Sequence, residues 1–500
     1  MRRTSSLAVL AALAGCTVGP NYVRPELAVP PTFAELPAAS ATTPATDPGH
    51  WWMQFNDPLL TSLIERALRG NLDLATARSR IATARAQERQ TRAARLPTLD
   101  GSASFNRIDF SKNAGFSSLA KSIGGGGGAG GGAGGGGAGG AGGGGTTPGQ
   151  GIALPGSGIS TWSLGVDASW EVDLFGGVRR SIEGARARTS AAEWNVRDVQ
   201  VSVAAEVASD YLMLRSLQRQ IAVAQDELKR QQNTLRLITA RRQVGLVAEL
   251  PQRQQQLQLS NVAAQLPQLF AQARDEVHAI GVLTGDGADG LNDSLSPGAT
   301  LPDAPPALPS GLPSDLLRRR PDIRIAERQL AAASADIGVA QADLYPKFNL
   351  MGMAELISTN LATLIARASL QTTGTAAVTL PIFDGGRRKG VVAERRAAAD
   401  QALIAYKKAV LVAVQDVEDA LADYQAEAKR NAELRRGVES AERATRLARA
   451  TFDAGLSDFQ PVLDSQGSVL TNRNSLAQSD ATLLTDLARL YKALGGGWDA

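Results

Sequence analysis

The chain is written twice, and that duplication limits its possible folds more than any other property. "LFGGVRR" at residues 174–180 returns as "IFDGGRR" at 382–388, and "VGLVAELP" ending at Pro251 returns as "AGLSDFQP" ending at Pro461. Upstream, "NLDLATARSRIATARAQERQTRAARLP" ending at Pro97 is matched by "RPDIRIAERQLAAASADIGVAQADLYP" ending at Pro346. The offsets are 208, 210 and 249 positions (382 − 174, 461 − 251, 346 − 97), so the first copy holds about 40 extra residues between Pro97 and Phe175. The fold must therefore consist of two equivalent halves, one of them carrying an insertion.

The surplus contains residues 124–145, which are glycine and alanine alone. On either side of it the pattern is that of strands. From Trp162 to Leu174 the residues alternate without a slip: Trp162, Leu164, Val166, Ala168, Trp170, Val172 and Leu174 on one face, serine, glycine and acidic residues on the other. "LPTLDGSASFNR" alternates more weakly through Leu99, Gly101, Ala103 and Phe105, and copy two repeats the pair as "PKFNLMGMAEL" and "GTAAVTLPIF". Tilted strands of about 9 to 11 residues suffice to cross a bilayer. The hairpin connection runs from Leu356 to Thr373 in copy two but from Asn106 to Ser160 in copy one. Membrane barrels keep short turns on the periplasmic side and long loops outside, so the glycine-rich segment 106–160 is expected to be an external loop. Its length is tolerable there, because closure entropy grows by only about 0.6 kcal/mol per doubling.

After each strand pair the pattern changes to long helices. No proline occurs from Gly156 to Leu250 or from Ile382 to Gln460. Val207, Tyr211, Leu214, Leu217, Ile221, Ala224, Leu228, Leu235 and Ile238 fall at coiled-coil spacings, as do Leu403, Tyr406, Val410, Ala413, Val417, Leu421 and Tyr424. A helix from Val178 to Val244 would measure ~100 Å at about 1.5 Å per residue, a length suited to crossing the periplasm. At the reversals, "RRQVGLVAELP" and "FDAGLSDFQP" place a glycine where a helix ends left-handed and a proline in the first turn of the next.

The amino terminus reads as an export signal. Arg2 and Arg3 precede an apolar run from Leu7 to Ala14, and "LAGC" closes it at Cys16, the only cysteine. This looks like a bacterial lipoprotein signal over residues 1–15, with cleavage before Cys16 and acylation of that residue; Thr17 in place of an aspartate points to the outer membrane. Charge is balanced, 52 basic against 49 acidic residues, which gives no reason to expect a nucleic-acid partner. An enzyme finds little support: His50 and His278 are the only histidines, Cys16 is consumed by the anchor, and no metal-ligand spacing, nucleophile elbow or phosphate loop is present. "PSDLLRRRPD", with Arg318–Arg320, reads as a short capped helix ended by Pro321. No cofactor and no metal are expected.

Four amphipathic strands cannot close a barrel, and each unpaired edge group facing lipid costs several kcal/mol. Several copies must pool their strands, and an eight-stranded dimer would be filled by side chains, so three or more copies are expected.

The chain resembles the TolC-like outer-membrane efflux channels, in the NodT-like lipoprotein branch that works with resistance-nodulation-division pumps. The stretches that carry the resemblance are "LAGCTVGPNYVRP", "WWMQFNDPLLTSLIERAL", "NLDLATARSRIATARA", "LPSGLPSDLLRRRPDIRIAERQL", "LPIFDGGRR" and "FDAGLSDFQPVLDSQ". The resemblance implies a mixed, mainly α fold: an elongated homotrimeric channel in which a 12-stranded β-barrel, four strands per protomer, continues into a 12-helix periplasmic α-barrel. It implies a signal peptide at 1–15 and a lipid-anchored equatorial segment at 16–66. Repeat 1 is 67–284, with hairpin 98–175 and long helices 178–284; a proline-rich equatorial link is 285–313. Repeat 2 is 314–492, with hairpin 346–383 and long helices 386–492; the tail is 493–500. It further implies an exit duct for small molecules, with a periplasmic adaptor, a resistance-nodulation-division pump and outer-membrane lipid as partners. By resemblance Val244, Gly245, Leu246, Ala454, Gly455 and Leu456 meet the adaptor, and Asp464 points into the closed aperture as a three-fold carboxylate ring. Gln460 and Gly467 stand where the family often has an apolar and a basic residue, which implies weaker salt-bridge latching. A type I protein-secretion duct of the same architecture and a non-conducting lipid-anchored spacer are the alternatives; the strand alternation argues against the spacer.

Overall fold

The computed structural model describes residues 17–26, 33–35, 48–109, 158–296, 298, 301–302 and 319–498. The signal segment 1–15, Cys16, most of the external loop and most of the link 285–313 lie outside the described residues. The chain divides into two units, one holding Arg92–Val178 and Asp343–Gly385, the other the helices of Val18–Thr91, Arg179–Ala342 and Gly386–Ala500.

The first unit is a four-stranded antiparallel sheet, β1 (Thr98–Asp109), β2 (Gly158–Val172), β3 (Lys347–Ser358) and β4 (Leu370–Thr379), in that spatial order. The two hairpins expected from the repeats are present, and a pairing of β2 with β3, Trp162 opposite Ser358 through Val172 opposite Phe348, joins the copies. Register makes the alternation of β2 a property of the whole sheet. Phe105 lies opposite Trp162, Leu164 opposite both Ala103 and Leu356, Val166 opposite Ala354, and Leu350 opposite Trp170 and Ala376, all on one face. The Phe105 and Trp162 rings are 4.3 Å apart. The opposite face is hydroxylated and acidic: Ser104 and Ser163 Oγ atoms are 2.8 Å apart, as are the side-chain oxygens of Thr98 and Ser169. Nothing within the described residues covers the apolar face, where Phe105, Leu164, Val166, Leu350, Leu370 and Val378 are all exposed.

Several strand boundaries differ from the sequence reading. β1 runs on to Asp109 and β2 starts at Gly158, because Asn106–Asp109 keep pairing with Thr161–Gly158. In copy two the connection shortens to residues 359–369, built from two single 3-10 turns, Leu361–Thr363 and Arg367–Ser369. β4 starts at Leu370 and stops at Thr379, ahead of Pro381, whose missing N–H cannot join a ladder.

The second unit is helical. α1 (Pro58–Gly70) is capped by Asp57, whose carboxylate accepts the Leu59 and Leu60 N–H groups at 2.9 and 3.1 Å and also the Tyr211 hydroxyl. α2 (Leu72–Ala93) and α5 (Pro321–Ala342) are the equivalent first helices of the repeats. The long pairs are α3 (Gly177–Gln243) with α4 (Glu249–Thr284), and α6 (Arg387–Asp453) with α7 (Gln460–Ala493). Their largest core gathers Trp51, Trp52, Phe55, Leu60 and Ile64 against Val207, Tyr211 and Leu214 of α3, Val410, Val417 and Leu421 of α6, and Leu487 and Tyr491 of α7. Pro321 starts a helix instead of ending one. Arg320 just before it is buried, bonding Asp322 at 2.7 Å, Asp416 at 2.8 Å and the Ala493 carbonyl at 2.8 Å, so the arginine run ends in an internal ion pair. Residues 303–318, which carry the rest of that stretch, lie outside the described residues.

Of the expected seam on α3, Val207, Tyr211, Leu214, Leu217, Ile221, Ala224 and Ile238 are buried, but Leu228 and Leu235 are displaced from it by Glu227, Gln231 and Thr234. The buried stripe steps back by one residue there: Gln231 bonds Gln466 and Gln255 across helices, while Glu227 bonds Arg230 and Gln231, and Thr234 the Arg230 carbonyl, within α3. The α6 seam is buried from Tyr406 to Leu421 as expected, with Leu403 and Tyr424 partly covered.

Candidate functional site

The candidate site lies where the long helices reverse. α3 ends on Gly245, φ +79°, and α6 on Gly455, φ +74°. In each case the same pair of bonds closes the helix: Gly245 N–H to Arg242 O and Leu246 N–H to Arg241 O, both 2.9 Å; Gly455 N–H to Phe452 O at 3.0 Å and Leu456 N–H to Thr451 O at 2.9 Å. This ending normally packs its following apolar residue back onto the helix. Here the residues five back, Arg241 and Thr451, are polar, and Leu246 and Leu456 stay 74 % and 79 % exposed, with Val244 at 70 %. The two reversals are neighbours: Arg241 pairs with Asp453 at 3.0 Å and lies over Phe452, while Ile238, Phe459 and Val462 form a small core beneath. The structure thus brings Val244, Gly245, Leu246, Ala454, Gly455 and Leu456 together as one apolar tip.

One turn into α7, Gln460, Asp464 and Gly467 share a helix face at spacings of four and three. With Gln254, Leu257 and Gln258 of α4 they line a groove of about 630 Å³. Gln254 Nε2 donates to Gln460 Oε1 at 3.1 Å, and Gln460 Nε2 donates to the exposed Asp464 carboxylate at 2.7 Å. Gln460 is therefore a relay between α4 and the acidic side chain. Gly467 leaves open space beside it.

Behind this face is an element the sequence reading missed. Gln231 of α3, Gln255 of α4 and Gln466 of α7 are buried together with Glu227. Gln231 Nε2 donates to Glu227 Oε1 at 2.5 Å and to Gln466 Oε1 at 3.3 Å, and Gln255 Nε2 donates to the Gln231 carbonyl at 3.2 Å. The run "QRQQQLQ" at 252–258 was its only sequence signal, since apolar periodicity does not register buried amides. Higher on α7, Asp480 accepts Arg219 of α3 and Arg435 of α6, each at 2.8 Å, with Asn431 at 2.8 Å. Three helices are tied by an ionic centre there and by amides nearer the tip. Cys16, the expected lipidation site, lies outside the described residues.

No helix among the described residues is long and apolar enough to cross a membrane. The model of the family described as outer membrane efflux protein matches residues 63–286 and 312–496. Nodulation protein T of Rhizobium leguminosarum bv. trifolii is 30 % identical over 97 % of this chain and 96 % of its own. The pyoverdine export outer membrane protein OpmQ of Pseudomonas aeruginosa is 30 % identical over 100 % and 98 %. Among solved structures, the outer-membrane channel OprN superposes with a TM-score of 0.84 at 31 % identity, covering 97 % of this chain and 100 % of that one. The fold is shared too with the Campylobacter jejuni CmeC outer membrane channel, TM-score 0.81 at 22 % identity, over 97 % and 96 %. With its duplicated halves, four-stranded sheet and long helix pairs, this chain belongs to the outer membrane efflux protein family and is an outer-membrane channel of its NodT-like branch.

Proposed function

We propose that three copies of the chain pool their strands into a twelve-stranded barrel and form the passive exit duct of a tripartite efflux system, handing small molecules from pump and adaptor to the exterior. The observation that carries this reading is the sheet: its apolar face is continuous across all four strands, and among the described residues nothing covers it and nothing pairs with the outer edges of β1 and β4. Lipid covers such a face, and only a neighbouring copy satisfies such an edge in a bilayer. Relatives named for pyoverdine export and for toluene efflux favour small molecules over a protein cargo.

In this reading a resistance-nodulation-division pump supplies the energy, and the periplasmic adaptor takes the apolar tip around Leu246 and Leu456. Asp464 then gates the periplasmic end: a carboxylate repeated around a three-fold axis repels anions and favours cations. Gln460 holds it by a neutral amide, so closure depends little on ion pairs. Acylation of Cys16 adds a second hold on the outer membrane. Conductance of the purified protein in planar bilayers tests the duct and the gate separately. The wild type is expected to form cation-preferring pores and Asp464→Ala to lose that preference. Absence of any pore refutes the duct; an unchanged ion preference refutes the gate.

A further inference from the structure

The segment that follows Cys16 is seated on the helices by side chains that no part of the efflux reading uses. Arg180, near the start of α3, is 4 % exposed. Its guanidinium donates to the Val18 carbonyl at 3.2 Å, the Gly19 carbonyl at 3.2 Å, the Asn21 side chain at 2.7 Å and Glu183 at 2.8 Å. Gly19, φ +98°, lies against Gly338 of α5 so closely that a Cβ on it would come within 2.5 Å of the Gly338 Cα. A Cβ on Gly338 would in turn meet the Arg180 side chain at 2.8 Å. One turn of contacts further on, Glu327 of α5 is 2 % exposed in its side chain and takes the Tyr22 hydroxyl at 3.4 Å and Arg24 at 3.7 Å, beside Arg324 and Arg328. Burial pushes the Glu327 carboxyl up, but Arg328, Arg24 and Arg324 outweigh it and hold the group below its ordinary range. The same strap returns at Phe33, which is buried, and Glu418 of α6 accepts the Ala34 and Glu35 N–H groups at 2.8 and 3.0 Å.

We propose that Arg180, Gly338 and Glu327 form a receptor for the chain's own Val18–Arg24 segment, so that the lipid-bearing end is clamped to the helical unit and does not hang on a leash. The ligand is a proline-stiffened peptide, "VGPNYVR", recognised through two backbone carbonyls, one amide, one phenol and one guanidinium. Two peptide steps separate Val18 from Cys16, an extended span of about 7 Å, so a clamped Val18 fixes where acyl chains enter the bilayer. That consequence rests on the lipidation reading; the receptor itself does not.

The test is chymotryptic cleavage of the full-length protein in open outer-membrane fragments, whose periplasmic face the protease can reach, read by mass spectrometry at the Tyr22–Val23 bond. Cleavage there follows the population in which the strap has left its seat. The wild type is expected to resist, and Arg180→Ala or Glu327→Ala to be cut about tenfold faster or more, in line with the loss of charge-assisted bonds. Asn21→Ala combined with Arg24→Ala removes one strap side-chain contact to each of Arg180 and Glu327 and leaves the helices intact; it is expected to be cut faster than wild type while other cleavage sites keep their rates. Equal cleavage in wild type and strap-side variant overturns the receptor. Cys16→Ser is expected to stay protected; protection lost there but kept in Arg180→Ala means that the bilayer shields the strap, and overturns the proposal. The mass of the released fragment reports acylation independently.

Discussion

Asp210 sits on α3 with Glu206 one turn before it and Glu276 of α4 facing it. Burial, then the charges of Glu276 and Glu206, raise its pKa from 3.8 to about 7. A carboxyl with a raised folded pKa contributes stability that is complete below the ordinary value and lost as pH rises through the folded one. Asp210→Asn is therefore expected to melt higher than wild type at pH 8 and at the same temperature at pH 4; a difference independent of pH would rule out ionisation as the cause. Leu246 and Leu456 are exposed at the tip. Replacing both with serine is expected to leave the melting temperature unchanged, because neither side chain is packed, and to abolish capture of the periplasmic adaptor in pull-downs from the producing strain. The reversal glycines were legible in the sequence because their backbone requirement is local. The seat around Arg180 was not, because its parts lie at 18–24, 180, 327 and 338 and no local pattern connects them.

Among elements, the glutamine seam ties α3 to α4 and α7 through buried amides. Gln231→Leu removes the side-chain amide shared by Glu227 and Gln466; Gln255 keeps the backbone carbonyl of residue 231 and Glu227 keeps Arg230, but the buried Gln466 Oε1 loses its donor, at a cost of about 1–3 kcal/mol. Destabilisation of at least that order is expected in chemical denaturation, together with more frequent pore opening in bilayers, since α7 loses its amide link to α3 near the tip. A stable variant with unaltered opening would detach the seam from gating. The α6 seam was readable as a heptad because its buried side chains are apolar. On α3 the reading failed at Leu228 and Leu235, where the buried stripe is carried instead by Glu227, Gln231 and Thr234, with Gln231 alone bonding across to α4 and α7. Likewise, alternation in β2 announced a strand, while its pairing with β3 depends on where the other repeat lies.

For the whole molecule, the decisive prediction concerns the sheet edges. Adjacent residues in a strand point their N–H groups to opposite sides, so of Thr375→Pro and Ala376→Pro one strikes the β3 ladder and the other the open edge of β4. Both are expected to leave single chains in detergent where the wild type forms trimers, as judged by light scattering. Trimers surviving both substitutions would require a different interface. Deleting residues 124–145 is expected to change neither assembly nor conductance, since the tract has no side chains larger than a methyl group with which to line a lumen.

Sequence alone determined the two-fold repetition, the period-2 strand, the long proline-free helices and the glycines that end them, because each follows from preferences acting over a few neighbouring residues. Tertiary structure decided the join of the two hairpins through β2 and β3, the amide seam, the Asp480 centre and the seat of the amino-terminal strap. Those depend on polar groups far apart in the chain finding one another where water is excluded, and a buried hydrogen bond leaves no periodic trace in the residues that make it.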